Sequence, residues 1–146
     1  MSGIIGGAGS KSGVIGTTEL VYEEYIAPST ACTGGLTNSI AWRAAKVGNM
    51  VTIHIPGMYG AASNVRTIVL GHALPVNFRP YGTTDFPVVC AIKGNNRYSA
   101  TVFRAYTNGT MEFHAGRGAP GDLWGTGNPT GLEYNTCYSW PHTNLT

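Results

Sequence analysis

The chain has 146 residues, 11% charged and 42% hydrophobic, with a formal net charge of +2. So small a charge, with Lys and Arg scattered, argues against a nucleic-acid surface, and no apolar run approaches the ~20 residues that would insert into a membrane. Glycine (21) and proline (8) are abundant enough to predict many turns, little helix and one domain preceded by an arm.

Residues 1–16 read MSGIIGGAGSKSGVIG. They carry two near-copies, Ser2-Gly3-Ile4-Ile5-Gly6-Gly7 and Ser12-Gly13-Val14-Ile15-Gly16-Thr17. Glycine this dense loses too much backbone entropy to hold a helix, and Ile4, Ile5, Val14 and Ile15 are too few to build a core. We therefore expect residues 1–18 to form an extended arm that orders on a partner surface. The four aliphatics would serve as plugs, with Gly6, Gly7 and Gly16 allowing close backbone approach. The competing reading is a flexible leader. A phosphate loop is ruled out because Ser10, not Gly, precedes Lys11. The dinucleotide fingerprint fails because Gly7-Ala8-Gly9-Ser10-Lys11-Ser12 ends in Ser. Neither N-myristoylation nor a secretory signal is expected.

From residue 19 onward the pattern is short β-rich runs between Gly, Pro, Asn and Ser. Residues 19–26 read as a strand stopped before Pro28, and 40–44 as a brief strand containing Trp42. In 50–55, Val51, Ile53 and Ile55 share one face and Thr52 and His54 the other, the period of a half-buried strand. Residues 65–70 and 86–92 are apolar enough to predict burial on both faces. Between them, Pro75 and Pro80 predict an extended, non-helical path over 74–80. Residues 97–106 and 110–114 flank Thr107-Asn108-Gly109, and Asn-Gly predicts a type I′ hairpin turn. Residues 115–129 read as loop and 133–140 as a last short strand. About eight short strands at even spacing predict an all-β, jelly-roll-like β-sandwich over 19–146.

These residues also carry a resemblance. The leader, followed by Thr18-Glu19-Leu20-x-Tyr22-Glu23-Glu24, resembles the N-terminus of small virion structural proteins of tailed bacteriophages. Ala44-Ala45-Lys46-Val47-Gly48-Asn49-Met50-Val51-Thr52-Ile53 is similar to a strand of phage tail-fibre and head-fibre domains in which Gly-Asn turns the chain. Leu74-Pro75-x-x-Phe78-Arg79-Pro80 and Asn108-Gly109-Thr110 also resemble segments of those heads. The pattern departs at Tyr25, where a Gly-Thr-Trp-Thr-Pro-like run is common, and at Ala45, which stands where an aromatic is expected before Lys46. The resemblance implies a homotrimeric β-sandwich made in the host cytoplasm and displayed on the virion. Its arm would dock into capsid or tail proteins, and its surface would be open to a host glycan. The competing class is a carbohydrate-binding module with a plain leader.

Catalytic chemistry is thinly represented. A glycosidase pair would have to come from Asp85, Glu112, Asp122 and Glu133, and scattered surface acids are the simpler reading. Cys32, Cys90 and Cys137 fit neither a zinc ribbon nor a disulfide scaffold, and are expected to be buried free thiols. His54, on the polar face of its strand, is the one histidine that a threefold axis could gather into a metal site; a solvated strand histidine is the plainer reading. No cofactor is implied. Among the aromatics near turns, Trp124 with Asp122 and Tyr81 are the candidates for stacking on a glycan. The competing role for Trp124 is a plug at the end of the sandwich.

Overall fold

Val51, Ile53 and Ile55 are fully buried while Thr52 lies exposed between them. This alternation fixes which face of each strand meets the core. The structure, a computed structural model, describes residues 22–32, 39–60, 67–92, 98–115 and 130–142. The arm expected over 1–18 lies outside them, as do Asp122 and Trp124. The described residues form strands β1 (Tyr22–Ile26), β2 (Thr30–Ala31), β3 (Ser39–Ile40), β4 (Arg43–Val47), β5 (Met50–Ile55), β6 (Met58–Gly60) and β7 (Thr67–Val69). After a 3-10 turn (Val76–Phe78) come β8 (Thr84–Ile92), β9 (Tyr98–Ala105), β10 (Met111–Ala115), β11 (Thr130–Leu132) and β12 (Thr136–Pro141).

The pairing is nested. β5 pairs with β12, β6 with β11, β7 with β10 and β8 with β9, all antiparallel. A long hairpin rolled over on itself gives this order, which is jelly-roll connectivity. The strands lie in a four-stranded sheet, β1-β4-β5-β12, and a six-stranded sheet, β6-β11-β8-β9-β10-β7, with β2 and β3 paired separately. The chain is an all-β sandwich.

Cross-strand rows make the core. On the six-stranded sheet Phe86, Phe103, Phe113 and Ile68 face inward in register. On the four-stranded sheet Tyr25, Ala44, Ile53 and Tyr138 do the same. The Phe103 and Tyr138 rings, one from each sheet, stack with centroids 4.5 Å apart. Each buried side chain of this size contributes about 1.5–3 kcal/mol, against ~0–1 for a surface ion pair. Apolar contact between the sheets, not surface charge, therefore holds the sandwich shut.

Several expectations are corrected. The strand foreseen at 40–44 is broken in two at Trp42, which is buried and whose carbonyl accepts from the Ala27 N–H at 2.9 Å. Strands β7 and β8 are not buried on both faces. Ile68 and Val88 point inward while Asp85 and Pro87 are exposed, because an antiparallel sheet keeps its outer face in water. Pro87 is tolerated in β8 because β11 reaches only Ala91 and Ile92, leaving β8 an edge beyond them. Between the prolines at 75 and 80 the chain makes a 3-10 turn instead of running extended, with the Phe78 N–H donating to the Pro75 carbonyl at 2.9 Å.

The turn at 107–109 is a three-residue loop, not a two-residue I′ turn. The Tyr106 N–H donates to Thr110 O, the Gly109 N–H donates to Tyr106 O, and Gly109 has φ +91°. Strands β6 and β11 were not foreseen, and the last strand begins at Thr136, not 133. The Gly48–Asn49 pair does turn β4 into β5, with φ +58° at Gly48 and Val47 opposite Met50.

Candidate functional site

Two surfaces concentrate chemistry. The first is the pole of the sandwich where the N-terminal segment joins β1. Strand pairing sets Tyr22, Val47, Met50 and Pro141 in one outward row across the end of the four-stranded sheet. The segment around the 3-10 turn is tied to the same end. The Tyr81 N–H donates to Pro141 O at 3.2 Å, the His142 N–H to Asn49 O at 2.8 Å, and His142 Nδ1 to Arg79 O at 3.0 Å. Beneath it the Trp140 indole N–H donates to Phe78 O at 3.0 Å. On the inner side Glu23 accepts from Lys46 Nζ at 2.9 Å and from Asn77 Nδ2 at 3.3 Å. The hydrogen bond from Lys46 is the main reason the Glu23 carboxyl lies below its ordinary range.

These ties leave large apolar side chains in water: Tyr22 at 61% exposure, Val76 at 66% and Tyr81 at 62%, with Val47 and Met50 beside them. Tyr81 is thus an exposed ring at the rim. Tyr138 and Trp140, in the last strand, are buried in the core, and Tyr134 just before it is exposed.

The second surface is a polar network on the outer face of the six-stranded sheet. Register places Asp85, Arg104 and Glu112 on one cross-strand row, and His114 on the next. The Arg104 guanidinium donates twice to Asp85, at 2.5 and 2.7 Å. It also lies 5.6 Å from the centroid of the Tyr106 ring. The Tyr106 hydroxyl donates to Glu112, and His114 Nε2 donates to the same carboxylate oxygen at 2.5 Å. Burial foremost raises the Tyr106 phenol, and the bond to Asp85 foremost raises Arg104.

Two of the acids singled out from sequence are therefore brought onto one face, but Arg104 stands between them and occupies both oxygens of Asp85. Glu133 follows β11, away from this row. An acid–base pair needs one carboxyl held protonated and a gap for the scissile bond. In the network the Arg104 guanidinium fills the gap between Asp85 and Glu112. Arg104, Tyr106 and His114 were not anticipated. The hairpin register around 107–109 was the signal that would have set them opposite Asp85 and Glu112.

His54 is half-exposed on the outer face of the four-stranded sheet, between Arg43 and Cys137. Among the described residues no group of three His, Cys, Asp or Glu is placed to hold a metal ion, and no helix is long and apolar enough to cross a membrane. Cys32 is buried, with its thiol 3.8 Å from Met58 Sδ and pushed up to about 11 by burial. Cys137 is free and exposed, contrary to the expectation of burial, because it points outward from a strand whose other face lines the core. The side chain of Cys90 lies outside the described set. No family model matches the sequence, and no curated protein does.

Proposed function

We propose that the chain is a non-enzymatic structural protein of a tailed-bacteriophage particle: a homotrimeric decoration or fibre-knob domain held on the virion by its N-terminal arm. The observation that carries this reading is the collection of Tyr22, Val47, Met50, Val76 and Tyr81 at the pole where the N-terminal segment joins β1. Clustered exposed apolar side chains of this size mark a surface that meets another protein. The segment leading into that pole carries Ile4, Ile5, Val14 and Ile15 among glycines. Arm and pole would then engage the same capsid or tail surface. The Asp85–Arg104–Glu112–His114 network is a brace across β8, β9 and β10.

Deleting residues 2–16 is expected to leave the β-domain folded by circular dichroism and to abolish incorporation into particles. Undiminished incorporation refutes the arm. The exposed ring of Tyr81 favours a second reading, contact with a host glycan, for which Trp124 and Asp122 remain the loop candidates outside the described residues. Glycan or host binding unchanged in Tyr81→Ala and Trp124→Ala variants refutes it.

A further inference from the structure

We propose that His54 and Cys137 form a two-ligand site for a monovalent thiophilic metal ion, Cu(I), on the outer face of the four-stranded sheet. The pairing of β5 with β12 sets the two residues directly opposite each other. Both stand on the outer side of their strands, because Ile53, Ile55 and Tyr138 are turned into the core. Cys137 is a free, exposed thiol and His54 is half-exposed. The next row along the same two strands shows how closely side chains approach here. Thr52 Oγ1 and Ser139 Oγ, also directly opposite, hydrogen-bond at 2.8 Å. Cβ atoms of opposed residues lie about 4.5–5.5 Å apart. From there a sulfur and an imidazole nitrogen can close on one ion at about 2.0–2.3 Å each.

Ligand count and local charge select the ion. A thiolate and an imidazole are donors that suit Cu(I), and a closed-shell monovalent ion is satisfied by two of them in line. Structural zinc takes four protein ligands and catalytic zinc three. Among the described residues no group of three His, Cys, Asp or Glu is placed to supply them. Arg43, which is exposed, stands opposite His54 on its other side. A monovalent ion displaces the thiol proton to solvent and makes a neutral pair with the thiolate. The guanidinium then meets no added positive charge, whereas a divalent ion would leave the site positive beside it. The site is complete within one copy, so it stands apart from the trimeric reading above.

The full-length chain would be titrated anaerobically with Cu(I) against bicinchoninate, whose copper complex absorbs in the visible. Cys137→Ser is expected to lose one bound Cu(I) per chain relative to wild type, and His54→Ala to hold that ion at least tenfold more weakly. In the wild type, one equivalent of Cu(I) should slow iodoacetamide alkylation of Cys137, mapped by peptide mass spectrometry, at least tenfold. An equivalent of zinc should not. The alkylation test needs no variant, so it stands even where a substitution disturbs the fold. Unchanged copper stoichiometry in Cys137→Ser, or an affinity in His54→Ala equal to wild type, overturns the site. So does a Cys137 alkylation rate indifferent to copper, and protection by zinc as strong as by copper overturns the choice of ion.

Discussion

Replacing Gly109 with alanine is expected to destabilise the domain by roughly 3–6 kcal/mol, a large fraction of the ~5–15 that holds a domain of this size. At φ +91° an added Cβ strains the backbone, by about 1–2 kcal/mol. The same Cβ would lie 2.6 Å from the Leu74 carbonyl oxygen and 2.9 Å from Arg79 Nε. The arginine can swing away but the carbonyl is backbone, so the turn must shift, at an overpacking cost of about 1–3 kcal/mol. The shift also strains the 2.8 Å bond from the Leu74 N–H to Gly109 O, worth about 1 kcal/mol. Gly82 is the control, since a Cβ there meets nothing within 4 Å; alanine should be neutral or stabilise slightly. Urea unfolding at matched protomer concentration compares the two, because assembly would make stability concentration-dependent. A Gly109→Ala variant within 0.5 kcal/mol of wild type, a margin of the order seen for inert surface changes, would refute the packing account. The consequence reaches function, because the segment after Leu74 carries Val76 and Tyr81 to the apolar pole.

Three further outcomes follow from the geometry. Trp140→Phe should cost about 1–2 kcal/mol more than Trp42→Phe, since Trp140 donates to Phe78 O while the buried Trp42 Nε1 has no partner; equal losses in denaturant titrations would contradict this. Asp85→Asn should cost only ~0.5–1 kcal/mol and less at 1 M salt, because its bridge to Arg104 is partly exposed; a loss above about 3 kcal/mol would mean a buried, unscreened pair. The Cys32 thiol, raised from 9.0 to about 11 by burial, contributes stability that is full below pH 9 and is lost as pH rises to about 11. The alkaline fall of wild type should therefore be steeper there than that of Cys32→Ala, by up to ~2–3 kcal/mol in total; parallel curves would rule out this linkage.

What could be read from the chain depended on whether a segment answers to local or distant rules. Residues 50–55 alternate so regularly that β5 matches its expected bounds, and Gly48-Asn49 marks its turn without ambiguity. Strands β6 and β11 are three residues each and exist only because they pair with one another and β11 with β8, across more than thirty residues of chain. No local periodicity signals such a pairing. Pro75 and Pro80 fixed their own φ angles but did not dictate the residues between, and Phe78 turned inward because a core site awaited it beside Trp140 and Tyr25. Asp85 and Glu112 were visible as acids, yet their pairing with Arg104 and His114 follows from a register that a three-residue loop sets and a two-residue loop would have shifted.

Among the described residues the two outer faces of the sandwich are dressed differently. On the six-stranded sheet Asp85, Arg104, Tyr106, Glu112 and His114 bond to one another, so the polar groups of this network find their partners within the sheet. On the four-stranded sheet Glu24 and Arg43 stand exposed among Tyr22, Ile26, Val47 and Met50. Tyr22, which opens β1, stands with Val47 and Met50 in the end row of that face, so the proposed engagement of arm and pole with one surface needs only this end of the sheet.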